Sequence, residues 1–144
     1  MEISGKHEFD ALRSAVWAKL LDPDAIRKAI PGCEEMVETG PDTYRLTIKI
    51  GIAAIKGTYT GTVEVRDQTP EESYRLVVSG SGKPGSVQGD ALLTLSEAAG
   101  RTTVNYRGEV KAQGVIARMG SRLLGSAAKL LIGQFIDGME KQLG

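Results

Sequence analysis

Along the chain, the spacing of apolar and polar residues switches between a strand period and a helix period. Ile3, Gly5, His7 and Phe9 alternate with Glu2, Ser4, Lys6 and Glu8, the pattern of a strand with one buried face. Asp10 then reads as the N-cap of a helix carrying Leu12, Val16, Trp17 and Leu20 on one side, and Asp22-Pro23 ends it. Asp24 reads as the cap of a second short helix over Ala25 to Ile30, stopped by Pro31-Gly32. Five alternating runs follow, beginning at Tyr44, Tyr59, Tyr74, Val87 and Thr102 and ending at Ile50, Val65, Gly80, Leu95 and Val110. Turn residues join them at Pro41-Asp42, Thr69-Pro70, Pro84-Gly85 and Ala99-Gly100. Such runs belong to an antiparallel sheet with one solvated face. From Val115 the period becomes helical. Val115, Met119, Leu123, Ala127, Leu131, Phe135, Met139 and Leu143 recur every four residues. The repeat predicts one helix of about 29 residues, about 43 Å long. Its apolar stripe matches the apolar face of the sheet. The pattern therefore predicts an α+β fold in a single domain over residues 1–144. A curved antiparallel sheet wraps around the long C-terminal helix, and two short helices follow the first strand.

Composition sharpens this. The chain has 144 residues, 41% apolar and 25% charged, and it contains 18 glycines. Gly61, Gly80, Gly89 and Gly108 fall inside strands in the inward register, and Gly120, Gly125, Gly133 and Gly138 interrupt the helix. Glycine at such positions costs conformational entropy. Small residues on two facing surfaces either let sheet and helix approach closely or leave an apolar cavity between them. One cysteine excludes an internal disulfide, and one histidine excludes multi-His metal sites. A pI near 6.6 with few aromatic residues gives no nucleic-acid footprint. The charged first ten residues lack a signal-peptide core, and no apolar run has the length of a membrane span, so a cytoplasmic location is expected. The zero net charge averages an uneven chain. Residues 1–42 carry 5 basic and 9 acidic side chains, whereas no acid occurs from Lys111 to Ile136.

Several residues carry candidate chemistry. Gly80 to Gly85 fits G-x-G-x-x-G, but a strand follows where a dinucleotide site needs a helix, so the segment reads as a hairpin connection. Cys33 lies beside Glu34 and Glu35, which disfavour a thiolate, so it reads as structural. His7 faces inward, either as a core histidine with a backbone or water partner or as a contact for a ligand head group. Tyr44, Tyr59, Tyr74 and Tyr106 face inward by register, as ordinary core residues or as donors at the rim of an apolar cavity. Arg118, Arg122 and Lys129 form a basic helix face, a solvated surface or one that docks on an acidic partner or anionic lipid.

The element order is that of the START-like (SRPBCC) helix-grip superfamily, and the chain resembles the CoxG family of carbon monoxide dehydrogenase subunits. The stretches that carry the resemblance are Val16-Trp17, Asp22-Pro23, Ile30-Pro31-Gly32-Cys33, Ile48 to Gly51, Lys56 to Gly61, Gly80-Ser81-Gly82 and Gly114 to Arg122. The resemblance implies a non-catalytic accessory protein without a metal or a cofactor of its own. Its ligand is expected to be a quinone or a lipid, held in a cavity lined by His7, Tyr44, Tyr59, Val78, Leu93, Tyr106, Met119 and Leu123. Its partners are expected to be the subunits of a molybdenum hydroxylase, with peripheral contact at the inner face of the cell membrane through Arg118, Arg122 and Lys129. Two other readings of the fold stand beside it: a START-like enzyme such as a cyclase or hydrolase, and an adaptor that binds no ligand.

Overall fold

The structure, a computed structural model, describes residues 1–52 and 55–143. Strand β1 (Glu2–Phe9) is followed by helices α1 (Arg13–Leu21) and α2 (Pro23–Ala29). Six strands come next: β2 (Cys33–Gly40), β3 (Thr43–Ile50), β4 (Gly57–Thr69), β5 (Ser73–Gly82), β6 (Gly85–Ala98) and β7 (Arg101–Gly114). A 3-10 turn (Val115–Met119) leads into helix α3 (Gly120–Leu143). The strands form one antiparallel sheet in the order β1-β7-β6-β5-β4-β3-β2. Consecutive strands from β2 to β7 pair as hairpins, and β1 adds to the far edge beside β7, with His7 opposite Val104. The sheet curves around α3, as the alternation and the helical stripe predict.

The alternation does not announce β2. Among its residues only Cys33, Met36 and Gly40 escape full exposure, and its register slips between Cys33 and Glu35 and again between Glu38 and Gly40. A bulged edge strand needs no period-two apolar pattern, because one long apolar side chain, Met36, anchors it.

Both helix starts differ from the sequence expectation. Leu12, not Asp10, occupies the N-cap of α1, and it makes no side-chain cap. The first helical amide, on Arg13, donates instead to Glu97 Oε1 of β6 at 2.6 Å. Asp22, not Asp24, caps α2: it accepts from the Asp24 amide at 3.1 Å, with Pro23 in the first turn. Proline suits that position because the amide it lacks has no helical partner there. Asp24 serves α2 by pairing with Arg27 at 2.9 Å and Lys28 at 3.0 Å.

The C-terminal segment is not one helix. Gly114 (φ +82°) and Gly120 (φ +80°) bracket the 3-10 turn in a backbone region that favours glycine, so α3 starts afresh at Gly120 and runs 24 residues. The inward face also differs from the predicted stripe. A four-residue step advances about 40° around a helix, so a strict repeat of four drifts off any one face. Met139 is fully buried and Ala127 nearly so, but Leu123 is 55% exposed and Val115 57%. Leu123 thus points outward, away from the cavity expected of it.

Two packed clusters hold the layers together. The first joins Phe9, Val16, Leu20, Ile26 and Met139 with Val65, Tyr74, Leu95 and Val104 of the sheet. Gly138 is required here, since a Cβ would lie 2.9 Å from Ala29 Cα of α2. The second cluster gathers Ile55, Tyr59, Ile116 and Ala127 beside Val87, Ala112, Met119 and Leu131.

Candidate ligand-binding site

Between the two clusters lies a band of the inner sheet face that neither fills. Gly61, Val63, Val78, Gly80, Gly89, Ala91 and Gly108 all occupy inward positions there, yet each remains half-buried. The backbone of α3 approaches α1, α2 and β1 rather than the central strands. The inner sheet face is therefore only partly covered between the two clusters.

The strand glycines decide between the two roles that small residues can play. A Cβ on Gly61 would run into Ser79 O and lie 2.8 Å from Gly80 Cα, and one on Gly108 would lie 2.7 Å from Ala91 Cα. The obstructing atoms belong to neighbouring strands, not to α3. Gly61 and Gly108 are glycines because the neighbouring strand approaches too closely there for a Cβ. At Gly80 the space is open: a Cβ would meet only Thr60 O, at 3.8 Å.

The predicted lining residues are dispersed. Val78 lies in the band, paired across the strands with Val63 and Gly89. Tyr106 is half-buried, opposite Gly5, and its ring covers the place a Gly5 side chain would take. Leu93 packs against the first cluster and Met119 against the second, at opposite ends of the band. Tyr44 is 5% exposed on β3 beside Val63. Burial, with Glu38 and Asp42 nearby, pushes its hydroxyl above the ordinary tyrosine range. Tyr59 donates its hydroxyl to Ile55 O at 2.6 Å, and burial raises its pKa too. Tyr74 sits in the first cluster, edge-on to Trp17 at a ring separation of 5.6 Å, with its pKa raised by burial. The four tyrosines thus do not converge on one volume. His7 is edge-on to Phe9 at 4.7 Å, and its Nε2 stands 3.2 Å from Glu140 Oε2 of α3 without hydrogen-bond geometry. Its neighbour is therefore a carboxylate, not a backbone group.

Two clefts open on the surface. One, of about 520 Å³, separates the start of β1 from the first turns of α3, with Ile3 on one wall and Ser121, Arg122, Gly125, Ser126 and Lys129 on the other. Arg122 and Lys129 are recognisable from sequence as basic, but the register of β1 against α3, which makes them a wall, is a long-range feature. The other cleft, of about 480 Å³, runs past Cys33, Lys49, Ile50 and Lys56. Cys33 is half-buried, its thiol donates to Glu35 O at 3.5 Å, and burial pushes its pKa up, which suits a structural thiol. Gly82 pairs with Gly85 across a hairpin, so the glycine motif joins two strands, as its sequence context predicts. Among the described residues, no group of three or more His, Cys, Asp or Glu side chains is placed to hold a metal ion. No described helix is long and apolar enough to cross a membrane.

Known structures share the architecture. A conserved protein from Geobacillus kaustophilus is 35% identical, with a TM-score of 0.97 over 99% of this chain and 95% of its own. A START superfamily protein from Mycobacterium smegmatis is 9% identical, with a TM-score of 0.76 over 99% of this chain and 96% of its own, a likeness of fold alone. No curated protein matches the chain. The family model for CoxG, a carbon monoxide dehydrogenase subunit, matches residues 5–144, and the chain belongs to that family, built on a START-like fold.

Proposed function

We propose that this chain is a non-catalytic accessory protein that holds an apolar ligand, a quinone or a lipid, between its sheet and α3. It assists a molybdenum hydroxylase of the carbon monoxide dehydrogenase type, at the inner face of the cell membrane. Membership of the CoxG family supports the link to carbon monoxide dehydrogenase. The observation that carries the ligand is the half-buried band of Val63, Val78, Gly80, Gly89 and Ala91 between two packed clusters. Apolar side chains left within reach of water are stabilised when a ligand covers them. Docking draws support from the 3-10 turn and the start of α3, where Val115, Leu123 and Leu130 are at least half exposed among Arg118, Arg122 and Lys129. A catalytic reading lacks a convergent polar set: Tyr59 is committed to a backbone carbonyl, and His7 stands against Glu140.

Native mass spectrometry of the chain purified from its own host, with affinity capture of its partners, tests this reading. We expect an apolar small molecule bound to the folded chain and hydroxylase subunits in the captured fraction. A ligand-free protein that takes up neither quinone nor lipid would overturn the ligand. Capture of the hydroxylase that persists after delipidation would then favour the adaptor.

A further inference from the structure

The cleft between β1 and α3 has chemistry that the inner face lacks. Its α3 wall carries Arg122 and Lys129, seven residues apart on one side of the helix. Neither has a carboxylate within 4.0 Å among the described residues, whereas Arg13, Arg27, Arg66, Arg75, Arg101 and Arg107 all do. The two acids that face each other beside Met1 have partners of their own. Glu2, on the opposite wall, is held by Arg107 at 3.1 Å. Glu109, opposite Glu2, is held by the Met1 amine at 3.3 Å. From 111 to 136 the chain has no acid at all. The hydroxyls of Ser121 and Ser126 stand in the same wall. The cleft also has an apolar floor. Ile3 faces inward and pairs with Gly108, which pairs in turn with Ala91, so small residues continue from the cleft towards the under-filled band. On the helix side, Gly125 leaves its space to the Met1 side chain, whose Sδ would lie 3.8 Å from a Cβ there.

We propose that this cleft is the mouth of the cavity and seats the anionic head of an amphiphile, a carboxylate or phosphate on an alkyl chain. The head lies between Arg122 and Lys129, and the chain passes Ile3 into the band. The inference rests on the apolar-ligand reading and adds to it a seat for a charged head where the ligand carries one. Two exposed cations hold a free anion weakly in water, because solvent and salt screen them. An alkyl chain buried behind the head supplies the rest of the affinity.

Titration calorimetry on the delipidated full chain tests it with three probes: oleate, oleyl alcohol and inorganic phosphate. We expect oleate to bind about tenfold more tightly than the alcohol of the same chain length, from two favourable charge contacts. High salt should erase that difference. The double variant R122Q/K129Q should bind oleate no better than oleyl alcohol and should keep its affinity for the alcohol. Equal affinities for the two chains in the unaltered protein, or an undiminished oleate preference in the double variant, would overturn the head-group site while leaving the cavity reading intact. Tight binding of phosphate alone would make the cleft an inorganic-anion site and overturn the amphiphile. Failure of both chains to bind would sink this inference together with the reading it rests on.

Discussion

Gly61 and Gly133 are the same residue type under opposite demands. At Gly61 a methyl group would collide with Ser79 O of the next strand, so Gly61→Ala should destabilise the fold by about 1–3 kcal/mol. At Gly133 nothing outside the helix lies within 4 Å, so Gly133→Ala should stabilise it by about 1 kcal/mol through helix propensity. Urea denaturation of both variants checks the contrast, and equal effects would contradict it. Tyr74 sets a different test. Burial raises its pKa in the folded protein. The folded state then holds the phenolic proton more tightly than the unfolded chain does. The stabilisation is complete below the ordinary tyrosine pKa of about 10 and is lost as pH rises beyond it. Tyr59 and Tyr44 shift in the same direction, so Tyr74→Phe should flatten alkaline unfolding in part. An unchanged pH profile in that variant would show that Tyr74 ionises as freely in the folded state.

Elements whose residues report their own burial are those that a sequence discloses. β4 to β7 alternate because one face packs and the other is wet, and they stand where the alternation puts them. β2 hides because an edge strand with register slips has no such duty. The two short helices are legible from Asp22-Pro23 and Pro31-Gly32, but their caps are not. Asp22 and Asp24 both lie within a turn of Pro23, and only the backbone decides which side chain accepts. Asp22→Ala should therefore cost about 1 kcal/mol in chemical denaturation, with no comparable cap loss in Asp10→Ala. Equal losses would show that Asp10 caps α1 after all. α3 misleads for a geometric reason. A repeat of four drifts around the helix, and the left-handed backbone at Gly120 restarts it, so Leu123 emerges on the outer surface. In the candidate site, Val78 and Tyr106 are legible from register. The cleft at Ile3 and Arg122 is not, because it depends on how β1 and α3 face each other across the whole chain.

At the scale of the molecule, the surplus of glycine and the uneven charge describe one arrangement. Strand glycines let neighbouring strands approach closely, and the middle of the sheet stays half-buried between two packed ends. The acid-free start of α3 stands beside the cleft at β1. Such an arrangement suits a carrier: the ends supply stability, and the middle supplies room. The most direct test of that room is to fill it. Gly80 faces the band, its backbone is extended, and a Cβ there meets only Thr60 O at 3.8 Å. Uptake of a short-chain quinone analogue and of oleate by delipidated protein is to be measured for the unaltered chain and for Gly80→Leu, with urea denaturation of each. The account predicts a Gly80→Leu protein at least as stable as the original, with uptake of both ligands reduced more than about tenfold by the occupied space. A leucine that unfolds the protein as an overpacked core would, or one that leaves uptake unchanged, would contradict it.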